Sequence, residues 1–381
     1  MDNKTPFIRL AKRENMSKGA TWGIRIGSFV VALIIGAIIF AVLGVSPITA
    51  YGQIIEAAFK RLSGFKQVIK YAVPLLGTGL ALAPCFRMKY WNCGGEGQIT
   101  MGAIFASYFA LYWADKLPRP VLLLVCCAAG IVGGAIWSGI PALFKAKWGT
   151  NETLFTLMMN YIAIGIARWL QGGPWEGQPG SQIIPHFNKA AVLPKVWGIH
   201  IGWILILVLT VVMFIYMTKT KHGYEVAVLG ESENTARYAG MDVKKIIIRT
   251  ALFSGAICGF VGYLICCGAN GSLNAELAGG AGFTGITVCW LAQLNPFAMI
   301  LISILMSALS KGASSLQTNL GVPASVSDII TGIILLCMLG SEFFINFRIV
   351  FNVGRKRVAD ASVKETQADE NQPDLNRKEE Q

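Results

Sequence analysis

The sequence is short of charge. Only 14% of its 381 residues are Asp, Glu, Lys or Arg, against about a quarter in an ordinary soluble domain. Histidine is scarcer still. His186, His200 and His222 are the whole set, and none has a second metal ligand or a nucleophile at a telling spacing, which excludes a recognisable zinc or His-based hydrolytic motif. No GxxxxGK[ST] loop occurs, so the chain has no recognisable nucleotide-hydrolysing site of its own. The nine cysteines lack the spacing of a zinc site or an extracellular disulfide framework, and read as small buried hydrophobes. A formal net charge of +12 raises nucleic acid as a partner, but no basic stripe with interleaved aromatics is present.

What the chain does have is apolar length. Hydrophobic residues make up 54% of it, and Ile26 to Val45 is an uncharged run of the length that crosses a bilayer. Lys4, Arg9, Lys12, Arg13 and Lys18 precede that run as in a signal peptide, yet no small-x-small cleavage site follows, so it is expected to stay as an anchor. Runs and breaks predict an all-α polytopic membrane protein with about ten spans: 25–45, 69–84, 98–114, 120–143, 152–170, 199–218, 249–267, 281–295, 297–310 and 327–347. An even number places both termini on one side. With that side cytoplasmic, 23 of the 33 Lys and Arg fall in inner segments, as the positive-inside bias requires. Lys60, Arg61, Lys66 and Lys70, in the first outer loop, have no explanation in this scheme. The predicted organisation is a cytoplasmic segment 1–24, a transmembrane domain 25–347 and a disordered cytoplasmic tail 348–381. The domain includes an outer loop, 171–198, and an inner loop, 219–248.

Some spans break helix rules. The 69–84 segment carries Pro74, Gly77, Gly79 and Pro84, and 268–296 carries six glycines and Pro296, giving one interrupted region in each half. Irregular backbone in a membrane is tolerated where it lines a cavity or is buried in protein, and paired interruptions point to a binding site between inverted repeats. The carboxylates Glu96, Glu152, Asp328 and Glu342 sit near span ends, which leaves no charged series for proton relay. Glu96 lies in CGGEGQITMG, at the predicted inner start of the third span, where water would share its charge. It reads as a hinge or inner gate, with a cargo contact as the alternative. Gly255 and Gly259 form a GxxxG helix-packing pair.

In the inner loop, Ser232 can cap a short helix, Glu233 suits its positive end and Gly240 can stop it. A helix of two turns is marginal in water, so it packs either on its own chain or on a partner. Four segments then resemble, in order, the permease subunits of ATP-binding-cassette importers for nucleosides and simple sugars, within the ribose and branched-chain amino acid permease group. They are NCGGEGQ (Asn92–Gln98), NETLFTLMMNYIA (Asn151–Ala163), GESENTARYAGM, and GGAGFTGITVCWLAQLNP. Cys93, Ser232, Glu233, Thr287, Cys289 and Trp290 depart from the family pattern.

The resemblance implies a solute importer that is not itself an enzyme. It implies a cytoplasmic ATP-binding subunit, with ATP and Mg bound there and no cofactor on this chain, and a second permease subunit, more in keeping with a paralogue than an identical copy. An extracellular substrate-binding lipoprotein would deliver cargo, with loop 171–198 as its landing surface. The location implied is a bacterial plasma membrane. Ser232, Glu233, Arg237, Tyr238 and Gly240 would form the ATPase-coupling segment. Polar and aromatic residues in or beside the broken segments are pathway or gate candidates: Asn92, Glu96, Gln98, Asn160, Asn270, Phe283, Trp290, Gln293 and Asn295. Amides satisfy sugar hydroxyls or base edges and aromatics stack on either, although each residue could instead bond between helices or anchor an interface. An ion-coupled secondary transporter of small polar solutes is the alternative. A membrane-embedded enzyme would need a convergent nucleophile, base or metal set that the sequence lacks.

Overall fold

Helix dominates because the apolar runs leave backbone polar groups no partner except one another. The computed structural model describes residues 8–12, 17–321 and 323–351; the rest of segment 1–24 and the tail beyond 351 lie outside them. In chain order the helices are α1 (Lys18–Val42), α2 (Pro47–Ile55), α3 (Leu62–Arg87), α4 (Gly95–Tyr112), α5 (Arg119–Trp148), α6 (Glu152–Gln171) and α7 (Gly202–Lys219). They continue with α8 (Lys221–Glu231), α9 (Glu233–Tyr238), α10 (Val243–Tyr263), α11 (Ala281–Leu291), α12 (Pro296–Leu320) and α13 (Ala324–Asn346). Every predicted span therefore contains a helix, although their lengths differ from the prediction. Seven helices among the described residues are long and apolar enough to cross a membrane.

Two units divide the chain. The smaller, Met1–Val31 with Gly340–Gln381, contains a two-stranded antiparallel ribbon in which β1 (Ile8–Lys12) pairs with β4 (Phe347–Phe351), Leu10 opposite Ile349. The larger, Ala32–Leu339, holds the main core.

The segment expected to be short and interrupted at 69–84 is instead part of one continuous 26-residue helix, α3, with Pro74 and Pro84 inside it. Each proline removes one helical N–H, and burial of the whole 75–86 stretch against neighbours holds the helix together. The break in the first half falls later, at residues 88–94, between α3 and α4. In the second half the expected interruption is present: α10 runs into a π-helical stretch, Leu264–Asn270, then a loop with Gly271, Gly279 and Gly280 at positive φ, then the 11-residue α11.

The tightest seam joins α5 to α10. Gly130 and Gly134 on α5 face Gly255 and Gly259 on α10; a Cβ on Gly259 would lie 2.1 Å from the Gly130 carbonyl oxygen, and one on Gly255 2.4 Å from that of Gly134. The Ser138 hydroxyl then donates to the Ala251 carbonyl at 2.7 Å. The GxxxG reading of α10 holds, and its partner motif is on α5.

Two ends of the array differ. At one, the starts of α3, α5 and α7 meet loop 171–201, which is ordered by a short helical turn at Lys189–Ala191 and a hairpin of β2 (Lys195–Val196) and β3 (Ile199–His200). At the other, Cys85, Met88 and Tyr90 near the end of α3 cluster with Val226, Leu229, Ala236, Val243 and Ile246 under α8 and α9. All nine cysteines are free, and six are buried.

His200 is 4% exposed with no hydrogen-bond partner on either ring nitrogen. Burial first, and the nearby Lys70 charge second, lower its pKa from the usual 6.5 to about 4. As pH falls below about 6.5 the unfolded chain takes up a proton that the folded chain refuses, so stability is lost between about pH 6.5 and 4 and not above. His200→Gln should flatten the thermal-unfolding profile over that window, by at most about 3 kcal/mol; an unchanged slope would remove His200 as its source. Gly259→Leu should overpack the α5–α10 seam and lower the yield and unfolding midpoint of folded protein, by about 1–3 kcal/mol or more. Gly165→Leu, where nothing lies within 4 Å of the new Cβ, should do neither.

Candidate functional site

After α3 ends, the chain turns through Lys89 at φ 61° and runs through 90–94 as irregular backbone. Buried amides hold it there. Asn92 accepts from the Gly94 N–H at 3.0 Å and from Gln98 Nε2 at 2.9 Å, and its own amide donates to Ser254 on α10 at 3.3 Å. Asn160 on α6 accepts from the Gly97 N–H at 2.8 Å and donates to the Cys93 carbonyl at 2.9 Å. Thr156 accepts from the Cys93 N–H at 3.1 Å. Buried backbone groups must find partners, and these three side chains supply them where no helix does.

Glu96 completes the arrangement. It stands in the first turn of α4, 7% exposed, and reaches across to the first turn of α11. One carboxylate oxygen accepts from the Gly280 N–H at 2.8 Å and the other from the Gly282 N–H at 2.7 Å. The two helix starts touch: a Cβ on Gly282 would lie 2.1 Å from the Glu96 nitrogen, and one on Gly95 3.3 Å from the Gly282 Cα. Helix N-termini carry about half a positive charge each, so two meeting head to head repel. A carboxylate between them offsets this, and each charge-assisted bond contributes about 1.5–3 kcal/mol.

The expectation that water shares the Glu96 charge at the inner end of its span is therefore corrected. The start of α4 packs against Thr78, well inside α3, and against the middle of α10 through Ser254, so Glu96 is buried in protein at mid-helix depth. The segments GGEGQITMG and GGAGFTGITV each open a helix, and the two openings meet.

On one side of this junction lies a cleft of about 390 Å³ lined by Lys70, Tyr71, Asn270, Glu276, Thr284 and Ser307, among others. Opposite, about 14 Å along α11 at 1.5 Å per residue, Trp290 stacks on Trp91 with ring centroids 5.5 Å apart and planes 19° apart, and Phe86 lies 5.6 Å from Trp290. Phe283, on α11, is 47% exposed and Trp91 46%.

The pathway candidates thus separate into groups. Asn92, Glu96, Gln98 and Asn160 are all buried around the turn before α4: Asn92 and Gln98 bond each other, Asn160 bonds the backbone of Cys93 and Gly97, and Glu96 bonds that of Gly280 and Gly282. Asn270 lines the cleft, Phe283 and Trp290 mark α11, Gln293 is exposed at φ 51°, and Asn295 caps α12 by accepting from the Phe297 and Ala298 N–H groups. Trp91, Phe86, Thr78, Thr156 and Ser254 were not anticipated. Trp91 alone had a signal, being an aromatic beside the NCGGEGQ motif.

The α9 segment forms as its sequence suggests. Ser232 accepts from the Thr235 N–H at 3.3 Å, Glu233 pairs with Arg237 one turn on, and Gly240 follows the helix at φ 74°. Ala236 is buried on the chain's own core, while Tyr238 is 93% exposed.

The sequence profile of a family described as the branched-chain amino acid transport system / permease component matches residues 64–339, which contain both broken regions and α9. The chain belongs to this permease family. The glucose ABC transporter permease TsgB13 of Haloferax volcanii is 30% identical over 90% of this chain and 93% of its own length. The guanosine ABC transporter permease NupP of Bacillus subtilis is 29% identical over 84% and 93%, and the nucleoside ABC transporter permease NupB of Lactococcus lactis 26% over 86% and 91%. More distantly, the guanosine permease NupQ of B. subtilis is 25% identical over half of this chain. No solved structure was found to match. Family and apolar helices together make this permease a multi-pass membrane protein, a transport component and not itself an enzyme.

Glu96→Gln keeps the side chain's shape but turns one acceptor into an NH₂ facing a backbone N–H. It should lower the thermal-unfolding midpoint of the permease, by about 1.5–3 kcal/mol for the lost charge-assisted bond, without changing helix content by circular dichroism. An unchanged midpoint would show that the carboxylate does not hold α11.

Proposed function

We propose that the chain is the permease subunit of an ATP-driven importer that carries nucleosides across a bacterial plasma membrane, with both termini cytoplasmic. The observation that carries the cargo reading is α11. It is too short to cross a bilayer, it is held at its start by Glu96, and its exposed side bears Phe283 and, at its far end, Trp290 stacked on Trp91. Flat aromatic faces suit a neutral planar base, and the Asn270, Thr284 and Ser307 side chains in the cleft suit hydroxyls. The names of NupP and NupB support this cargo. A simple sugar is the second reading, favoured by the identity to TsgB13.

In this proposal the buried cluster of Asn92, Glu96, Gln98 and Asn160 is the gate, and Asn270, Phe283, Trp290, Gln293 and Asn295 border the pathway, with Trp91 added. A paralogous second permease subunit is supported by the likeness of this chain to both NupP and NupQ, two guanosine permeases of one organism. Hydrolysis belongs to a cytoplasmic ATP-binding subunit that holds ATP and Mg. The Ser232–Gly240 segment docks into it, with Arg237 and the protruding Tyr238 as the contact. An extracellular binding lipoprotein lands on loop 171–198. ATP binding then shifts the permease between two states that bind the docked subunits unequally.

Uptake of labelled guanosine or adenosine should depend on this subunit. Competition by ribose or glucose, with none by nucleosides, would overturn the cargo reading. Arg237→Glu should abolish coupled uptake and co-purification of the ATP-binding subunit while leaving membrane insertion intact, and normal uptake by that variant would remove α9 as the docking segment.

A further inference from the structure

A polar cavity of about 490 Å³ lies well away from α11, between the π-helical turn Glu56–Lys60, the start of α3 and the end of α12. Its existence follows from the chain's path. The π-turn packs onto α3 at Gly64, where a Cβ would lie 2.1 Å from the Ala57 carbonyl oxygen. Arg61 is then drawn out in extended conformation before α3 begins, so the corner between α2, α3 and α12 is propped open.

The lining is unusual for a membrane protein's helix ends. Arg61 and Lys311 both face the cavity, with Gln53, Ser63, Gln67 and Ser315. The one carboxylate in the lining, Glu56, is already bonded to Lys60 at 2.6 Å, and no carboxylate among the described residues pairs with Arg61 or Lys311. Gln53 Oε1 is buried and has no hydrogen-bond partner. Two unpaired cations, hydroxyl and amide donors, and one buried acceptor are therefore gathered at the level where helices end.

Large apolar side chains border this polar corner. Ile48, Ile55, Phe59 and Leu62 are 85%, 63%, 51% and 57% exposed, and they interleave in sequence with the lining residues Gln53, Glu56 and Arg61. Such a surface beside a cationic pocket matches an amphiphile, with its phosphate on the cations and its chains on the apolar side chains.

The geometry points to a binding site for the headgroup of an anionic glycerophospholipid. The phosphate sits between Arg61 and Lys311, and a headgroup hydroxyl donates to Gln53 Oε1. The same residues account for Arg61, one of the outer-loop cations that the positive-inside scheme leaves over. A phospholipid is favoured over free phosphate because the apolar border would gain nothing from an inorganic ion.

The test is native mass spectrometry of the full-length permease released from bilayers of equal phosphatidylglycerol and phosphatidylcholine with identical acyl chains. Phosphatidylglycerol adducts should exceed phosphatidylcholine adducts at least about fivefold, the ratio that roughly 1 kcal/mol from either one of the two cations would give. R61Q/K311Q should bring the two to parity with an unchanged unfolding midpoint. No preference in the wild type, or a preference that survives in the folded variant, would overturn the site. If excess inorganic phosphate strips the lipid and leaves its own adduct at equal abundance, the pocket holds free phosphate and the lipid assignment fails. Should R61Q/K311Q not fold, K311Q and the wild-type competition decide the matter by the same criteria.

Discussion

Two helices that begin inside protein, nose to nose, create an electrostatic problem, and the Glu96 carboxylate is its solution. The starts of α4 and α11 each present unpaired N–H groups and a partial positive charge. By accepting from Gly280 and Gly282, Glu96 satisfies two of the orphan donors at the start of α11 while standing in the first turn of α4. Much else follows from that one contact. Glycine is required at 282 because nothing larger fits against the Glu96 backbone. The turn before α4 must be clamped from α6 and α10, which is the work of Asn160, Thr156 and Ser254.

The same contact links the two ends of the array. Loop 171–201 is stitched to the lead-in of α11: the Phe187 N–H donates to the Gly271 carbonyl and the Leu193 N–H to the Cys267 carbonyl, both at 2.8 Å, and Gln171 accepts from the Ala275 N–H at 2.8 Å. At the other end α9 rests on a small core that includes the beginning of α10 and the end of α3. Between them, Asn92 ties the turn before α4 to the middle of α10. Both ends are thus tied to the Glu96 junction through packed helices and a few hydrogen bonds.

Much was legible before any coordinates. Ser232 and Gly240 marked α9 because cap and stop signals act over a few residues. Gly255 and Gly259 marked a packing face for the same reason, and the permease motifs carried the family. The reading failed at α3, where Pro74 and Pro84 look like breaks but are carried through by burial on every side. It also failed for the exposure of Glu96, because whether the start of a helix meets water or another helix depends on the partner it packs against. Trp91 and Trp290 are 199 positions apart, and no local pattern joins them.

The sequence by itself determined that this is a membrane-embedded helical permease, and where the short capped helix α9 begins and stops. These properties rest on composition and on interactions within a turn or two of chain. Only the tertiary structure decided that Glu96 closes onto α11, that Asn92 bonds Gln98 and Ser254 while Asn160 bonds the backbone of Cys93 and Gly97, and that Trp91 stacks on Trp290. Those outcomes depend on helices far apart in the chain approaching within van der Waals distance. Glycine in the sequence permits that approach but does not name the partner.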